Sequence, residues 1–411
     1  MKVALVLLLA VGAVCAHAAT LIDEDGVFDF KDQYIVKVRS SILMSNFYQR
    51  LKEISEELKT QSGGLYGKYV IVSNLLATPS MIIMKMDKQM LKMVLACPFV
   101  AYVEQDVYND FDHIEMSAER GMPSTTWALD RINQVTAELD KDLSFPGDGA
   151  GVNIYVIDSG INPDHVDFEG RAVKVHDIFN QTGSDCCKHG TAVAGAAASK
   201  TWGVAKKANI LSVRTLDCRC GAGTSHMAAA IDWVAEHAVP PCVATMSFSR
   251  KTSSPTICEA VQRLAEAGCV PVAAATNLKG SQTDVDACTR SPAKSPYAIT
   301  AASTSWVEDK KSAFSRSGDC VDIFAPGEFV RTTAANGDYE WRSGTSMSVP
   351  LVAGIAAIHL GNGVPADQVR HRILSDALAC MVADVGPGSP NRFLHIDPAP
   401  PATVDPEPAS V

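Results

Sequence analysis

Beyond its first residues the chain has no apolar run approaching the roughly 18 residues a membrane-spanning helix needs, so no membrane partner is expected. It also lacks a basic excess: 36 Lys and Arg stand against 46 Asp and Glu, giving a net charge of −10 and a pI near 5.5. That balance disfavours nucleic acid and anionic membranes and leaves peptides, basic ones among them, as easier ligands. The cysteines lack the paired C-x-x-C spacing of zinc knuckles; C-C at 186–187 and C-x-C at 218–220 occur instead. No internal repeat stands out.

What is present begins with a leader. Met1-Lys2, an apolar stretch over 3–14 and Cys15-Ala16-His17-Ala18-Ala19 have the charge, length and small-residue site of a secretory signal peptide over residues 1–19. A secreted, extracellular chain permits disulfides. Of the 12 cysteines, Cys15 goes with the leader and Cys97 with the segment described next, leaving ten, an even number that reads as disulfides.

Residues 20–120 read as a separate small domain with a linker. Residues 32–38 alternate like a strand, and Phe47, Leu51, Ile54 and Leu58 line one face of an amphipathic helix. Strand-like 69–72 and 81–86, a helix over 88–97 and a strand over 100–106 complete a β-α-β-β-α-β pattern, a ferredoxin-like plait. The polar, Pro/Gly-punctuated linker over 107–126 reads as exposed and processed. Residues 398–411 are Pro-rich and acidic, as in a disordered tail.

The chemistry lies in residues 121–397. Asp158 in V-I-D-S-G, His189 in K-H-G-T-A-V-A-G and Ser346 in S-G-T-S-M-S-V-P supply a carboxylate, an imidazole and a hydroxyl. Each alone reads as a cap, a surface residue or a turn. Together they suit acyl transfer: a hydroxyl is a weak nucleophile, an imidazole takes its proton, and a carboxylate fixes the imidazole tautomer. Asp158 ends an apolar run that reads as a buried parallel strand, where α/β sheets build their sites. His189 opens a small-residue helix. Ser346 precedes an apolar helix over 349–358, in which Pro350 is tolerable as a first-turn residue.

The order Asp158, His189, Ser346 and these motifs resemble the subtilisin-like serine proteases, particularly the proteinase K branch, over nearly the whole chain from Tyr34 to Ile396. G-V-A-K-K-A, F-E-G-R-A, D-I-F-A-P-G and S-P-A belong to the match. The resemblance implies an α/β, three-layer fold with a mostly parallel sheet, serine endopeptidase activity and no required cofactor. It implies that Asn277 donates to the oxyanion, and that Gly221, Ala222, Gly223, Met246, Ser247 and Phe248 border the substrate. Y-V-E-Q-D resembles the end of an inhibitor propeptide, so the chain's own first domain is an expected intramolecular inhibitor of a self-processing zymogen. A monomer acting on polypeptides is expected.

The resemblance further implies disulfides Cys186–Cys218 (with Cys187–Cys218 as the variant) and Cys288–Cys320, and a structural calcium on Asp322 with the carbonyls of Pro296 and Ala298. Two departures bear on specificity. Thr276 stands where Gly commonly precedes the oxyanion Asn, and Ser249-Arg250 replaces a Gly-Gly pair. Those side chains are expected to narrow the pocket for the residue before the scissile bond, to recess it, or to place a cation near its mouth. Leu351, where His is common, reads as packing. The alternative function is a regulatory or binding protein of the same fold that cleaves only its own propeptide.

Overall fold

The computed structural model describes residues 20–22, 31–74, 78–110, 122–279 and 283–398. The expected signal peptide (1–19), linker residues 111–121 and tail residues 399–411 lie outside them. The chain divides into two compact units, Met1–Val107 and Tyr108–Val411.

The first unit contains β1 (Thr20–Ile22), β2 (Gln33–Val38), α1 (Met44–Ser62), β3 (Tyr69–Asn74), β4 (Met81–Met86), α2 (Lys88–Leu95) and β5 (Val100–Gln105). The sheet order β1-β5-β2-β4-β3 contains the plait order, with β1 added parallel to β5 as a fifth strand that the sequence pattern does not reveal. Phe47, Leu51 and Ile54 of α1 are buried together with Met90, Leu91 and Val94 of α2 and the inward residues of β2 and β4. Asp87 caps α2 by accepting from the amides of Gln89 and Met90, which starts the helix where the apolar periodicity begins.

The second unit contains β6 (Tyr108–Asp110), α3 (Trp127–Ile132), β7 (Asn153–Asp158), β8 (Ala172–Asp177), α4 (Gly190–Ala198), β9 (Asn209–Arg214), β10 (Gly221–Gly223), α5 (Thr224–His237), β11 (Cys242–Met246), α6 (Pro255–Glu266), β12 (Cys269–Ala274), β13 (Ile299–Thr304) and β14 (Ile323–Pro326). A hairpin of β15 (Val330–Thr333) and β16 (Tyr339–Arg342), then α7 (Thr345–Gly361), α8 (Ala366–Asp376), β17 (Leu378–Ala379) and β18 (Arg392–Phe393) complete it. Strands β8-β9-β7-β11-β12-β13-β14 form a parallel sheet, extended by β18 and closed by antiparallel β17. Helices cover both faces, which is why the central strands read as continuous apolar runs. β7 lies between β9 and β11, where the strand order reverses, so its C-terminal residue Asp158 sits at the switch point that open α/β sheets use for sites.

Helix α7 starts at Thr345, four residues before the expected apolar run. Pro350 is therefore in the second turn rather than the first. The helix tolerates it because the carbonyl that loses its i+4 donor, that of Ser346, accepts instead from Ser247 Oγ at 3.1 Å. Leu351 is buried in the core of this unit.

Candidate active site

Asp158 is fully buried at the end of β7, and its carboxylate accepts from His189 Nδ1 at 2.8 and 3.1 Å. The amide of Ser159 donates to the same carboxylate at 2.7 Å. His189 stands at the N-terminus of α4, whose residues Gly190–Ala198 are all buried. At Gly190 a Cβ would lie 3.2 Å from Asp158 Oδ1 and collide with the Gly160 carbonyl, so glycine lets the two elements approach. Burial alone would lower the pKa of His189; the charge and hydrogen bond of Asp158 outweigh it and raise the imidazole above its ordinary value.

Asp185, which sequence reasoning missed, holds this corner. It accepts from the amides of Lys188, His189 and Thr191 and from the hydroxyls of Ser159 and Thr191, at 2.6–3.3 Å. No local capping pattern marks it, because the N-cap of α4 is His189 and Asp185 lies four residues before that position.

Ser346 lies in the first turn of α7, where unbonded amides and the helix dipole offer stabilisation to a negative charge. Its Oγ donates to the Ser247 carbonyl at 3.3 Å. Asn277 follows β12, and its Oδ1 accepts from the Thr345 amide at 3.0 Å and the Thr345 hydroxyl at 2.9 Å. With the oxygen engaged, the amide nitrogen is left as a donor in the cleft. His189, Asn277, Ser346, Ser247, Phe248 and Thr276 all line one cleft of about 220 Å³.

Other expected residues fall elsewhere. Met246 is buried within the sheet, opposite Ile157 and Ala273. Gly221, Ala222 and Gly223 form β10, which pairs antiparallel with β6: Gly221 opposite Asp110, Ala222 opposite Asn109 and Gly223 opposite Tyr108. A Cβ on Gly221 would overlap the Tyr108 ring, whose hydroxyl donates to Asp217 at 2.8 Å and whose face carries Arg219 at 4.6 Å. Asp110 lines the cleft beside His189 and Ser346 and pairs with Lys251 at 2.7 Å.

Arg250 does not supply the expected cation at the pocket mouth. It is fully buried and donates to Thr224, Thr252 and the Ser253 carbonyl. Arg290 and Arg316, which the sequence did not single out, line the cleft instead. Thr276 carries φ +76°, a left-handed conformation that a β-branched residue rarely adopts.

Disulfides join Cys186–Cys218 and Cys288–Cys320, with Cys187–Cys220 and Cys242–Cys269 in addition. The first and third tie the loop before His189 to the loop before β10. The even count of ten is corrected: Cys258 and Cys380 remain thiols. Asp286 lies close to Cys288 and Cys320, but those sulfurs are spent on each other.

At the expected calcium ligands the structure has a guanidinium. Arg370 donates to Asp322 Oδ1 at 2.6 Å and to the Pro296 carbonyl at 2.5 Å, while Asp322 Oδ2 accepts from the Thr300 amide at 2.8 Å. A guanidinium thus takes up two of the three oxygen ligands, leaving the Ala298 carbonyl alone of the expected set. A calcium ion does not fit a donor set already satisfied by a fixed cation.

Comparison with known proteins identifies the family. Residues 149–395 match the subtilase family. Alkaline serine exoprotease A of Vibrio alginolyticus is 37% identical over 368 residues, 89% of this chain and 67% of the relative. An extracellular serine proteinase of Thermus sp. (strain Rt41A) is 38% identical over 309 residues, covering 72% and 71% of the two chains. The crystal structure of a cold adapted subtilisin-like serine proteinase superposes with a TM-score of 0.63 at 38% identity, covering 67% of this chain and 99% of that one. The chain belongs to the subtilase family and is a serine endopeptidase of the subtilisin type.

Proposed function

We propose that the protein is a secreted endopeptidase made as a zymogen, in which the first unit is an intramolecular inhibitor and the site of Asp158, His189, Ser346 and Asn277 makes the maturation cut. The observation that carries this reading is β6. The three residues that follow the first unit in sequence add as a strand to β10 and bring Asp110 into the same cleft as His189 and Ser346. Strand addition is how an extended peptide docks on a sheet edge, main-chain bonds giving affinity and side-chain pockets giving selectivity.

In the reaction, Ser346 Oγ attacks the peptide carbonyl carbon while His189 Nε2 takes the hydroxyl proton; Nδ1–H stays bonded to Asp158. The carbonyl oxygen becomes an oxyanion, stabilised by the Asn277 amide and by N–H groups at the start of α7. His189 returns the proton to the leaving amine, the C–N bond breaks, and an ester to Ser346 remains. Water, deprotonated by His189, hydrolyses that ester and restores the serine.

The full chain, expressed with host proteases inhibited, should be secreted in two pieces. Amino-terminal sequencing should place the new terminus after Asp110, because the chain runs from β6 toward the cleft. Ser346→Ala should remain uncut. A normally processed Ser346→Ala would assign the cut to another protease and remove self-processing.

A further inference from the structure

On the endopeptidase reading, the side chain before the scissile bond enters the cleft beside Ser346, between Ser247–Ser249 after β11 and Ala274 and Thr276 at the end of β12. Each wall carries an arginine. Arg316 donates its main-chain amide to the Thr276 carbonyl at 3.1 Å, beside the bridge between Asn277 and Ser315. Arg290 immediately precedes Ser291, whose carbonyl accepts from the amide of Arg250, next to Ser249. Both arginines line the cleft.

Their guanidinium groups converge on one carboxylate. Arg290 meets Asp284 Oδ2 at 2.9 Å, and Arg316 lies 3.4 Å from the same oxygen while also donating to the Asp284 carbonyl. The two arginine side chains are only 15% and 3% exposed, whereas Asp284 is 48% exposed. Both buried cations therefore meet the solvent-screened carboxylate of Asp284, and the charge of Asp286 also acts on Arg316. Burial, then the neighbouring Arg290, pull the Arg316 pKa down, against the weaker attraction of Asp284 and Asp286. Among the described lining residues the sole carboxylate is Asp110, already paired with Lys251. Arg290 Nε and the Thr276 hydroxyl, both buried, have no acceptor or donor partner among the described residues. Buried charge is stable when it is compensated, and the group this pocket admits is the substrate's side chain.

We propose that the pocket for the residue before the scissile bond selects an acidic side chain, glutamate or aspartate, held by Arg290 and Arg316 with the Thr276 hydroxyl as a further donor. This rests on the endopeptidase reading above and gives it a substrate class. It also separates the site from the molecule: the chain carries −10 overall, yet this pocket is cationic. A bidentate guanidinium suits a carboxylate, and a pocket built to pair with a charge penalises the uncharged isostere by leaving its own groups unmatched.

The test uses the full chain, with competent Ser346 counted by a fluorophosphonate label, and a peptide series varied only at the residue before the cleaved bond: Glu, Asp, Gln, Ala, Phe and Lys. Glu and Gln have the same shape, so their kcat/KM ratio reads charge. The expected ratio is tenfold or more, falling as salt rises. Arg290→Gln should bring it toward one, and Asp284→Asn, which removes the competing anion, should increase it. Arg316 is the more buried and its variant the less certain to fold, so these two carry the test. Labelled enzyme that cleaves after Gln or Phe as fast as after Glu overturns the acidic pocket. No label at Ser346, or label without cleavage of any peptide, counts against the endopeptidase reading instead.

Discussion

Ser247 Oγ donates to the main-chain carbonyl of Ser346, the carbonyl left without a helical donor because residue 350 is proline. The Ser346 hydroxyl in turn donates to the Ser247 carbonyl. The proline thus frees a group in the turn that carries Ser346, and the segment that follows β11 satisfies it. Removing the Ser247 hydroxyl leaves that carbonyl without its bond, a loss of about 1–2 kcal/mol. Ser247→Ala should lower kcat/KM about tenfold and reduce thermal stability, with Ser247→Thr retaining most of both. Unchanged kinetics in the alanine variant would show that the bond does not position Ser346.

Activity should rise with pH through a titration above the ordinary histidine value of about 6.5. The rate needs neutral His189 as base, and Asp158 raises its pKa. The sign for stability is opposite: with a raised folded pKa, the pairing stabilises the fold below the unfolded value and fades as pH rises through the folded one. Asp158→Asn should move the acidic limb of kcat to lower pH and reduce kcat by about 10⁴-fold. A pH–rate profile of both proteins checks this; a limb that stays in place would exclude Asp158 as the cause.

Thr276→Gly should stabilise the fold and widen the pocket. A non-glycine residue in this backbone region costs about 1–3 kcal/mol, which glycine avoids, although glycine returns part of that as chain entropy. The melting temperature should rise by a few degrees, and cleavage after Phe should gain relative to cleavage after Ala. A lower melting temperature would mean that the threonine's packing outweighs its strain.

Arg370→Ala should make the protein calcium-responsive. The substitution leaves the Asp322 carboxylate and the Pro296 carbonyl facing a space that a hard cation fits. Because Arg370 is 41% exposed, its loss should cost only about 1 kcal/mol or less without calcium. Melting curves in calcium and in chelator compare the two proteins. The variant should gain more from calcium than the native chain does, and an equal gain would refute the exchange of guanidinium for metal.

The sequence by itself determined the elements and singled out the candidate reacting groups. Apolar runs read as buried parallel strands because both sheet faces are covered, and Asp158, His189, Asn277 and Ser346 stand at strand or helix ends whose periodicity is local. The plait of the first unit followed from the same period-2 and period-3.6 patterns, apart from β1, whose three residues are too short to show one. Only the tertiary structure decided the charge of the pocket. Arg250, adjacent to the cleft in sequence, turns inward to Thr224, while Arg316 reaches across 32 residues of chain to the Asp284 that Arg290 also meets. Arg370 reaches Asp322 across 48 residues of chain in the same way. Periodicity and capping act within one or two turns and leave a signature in neighbouring residues; the direction of a long side chain on a loop is set by what packs around it, which no local pattern records.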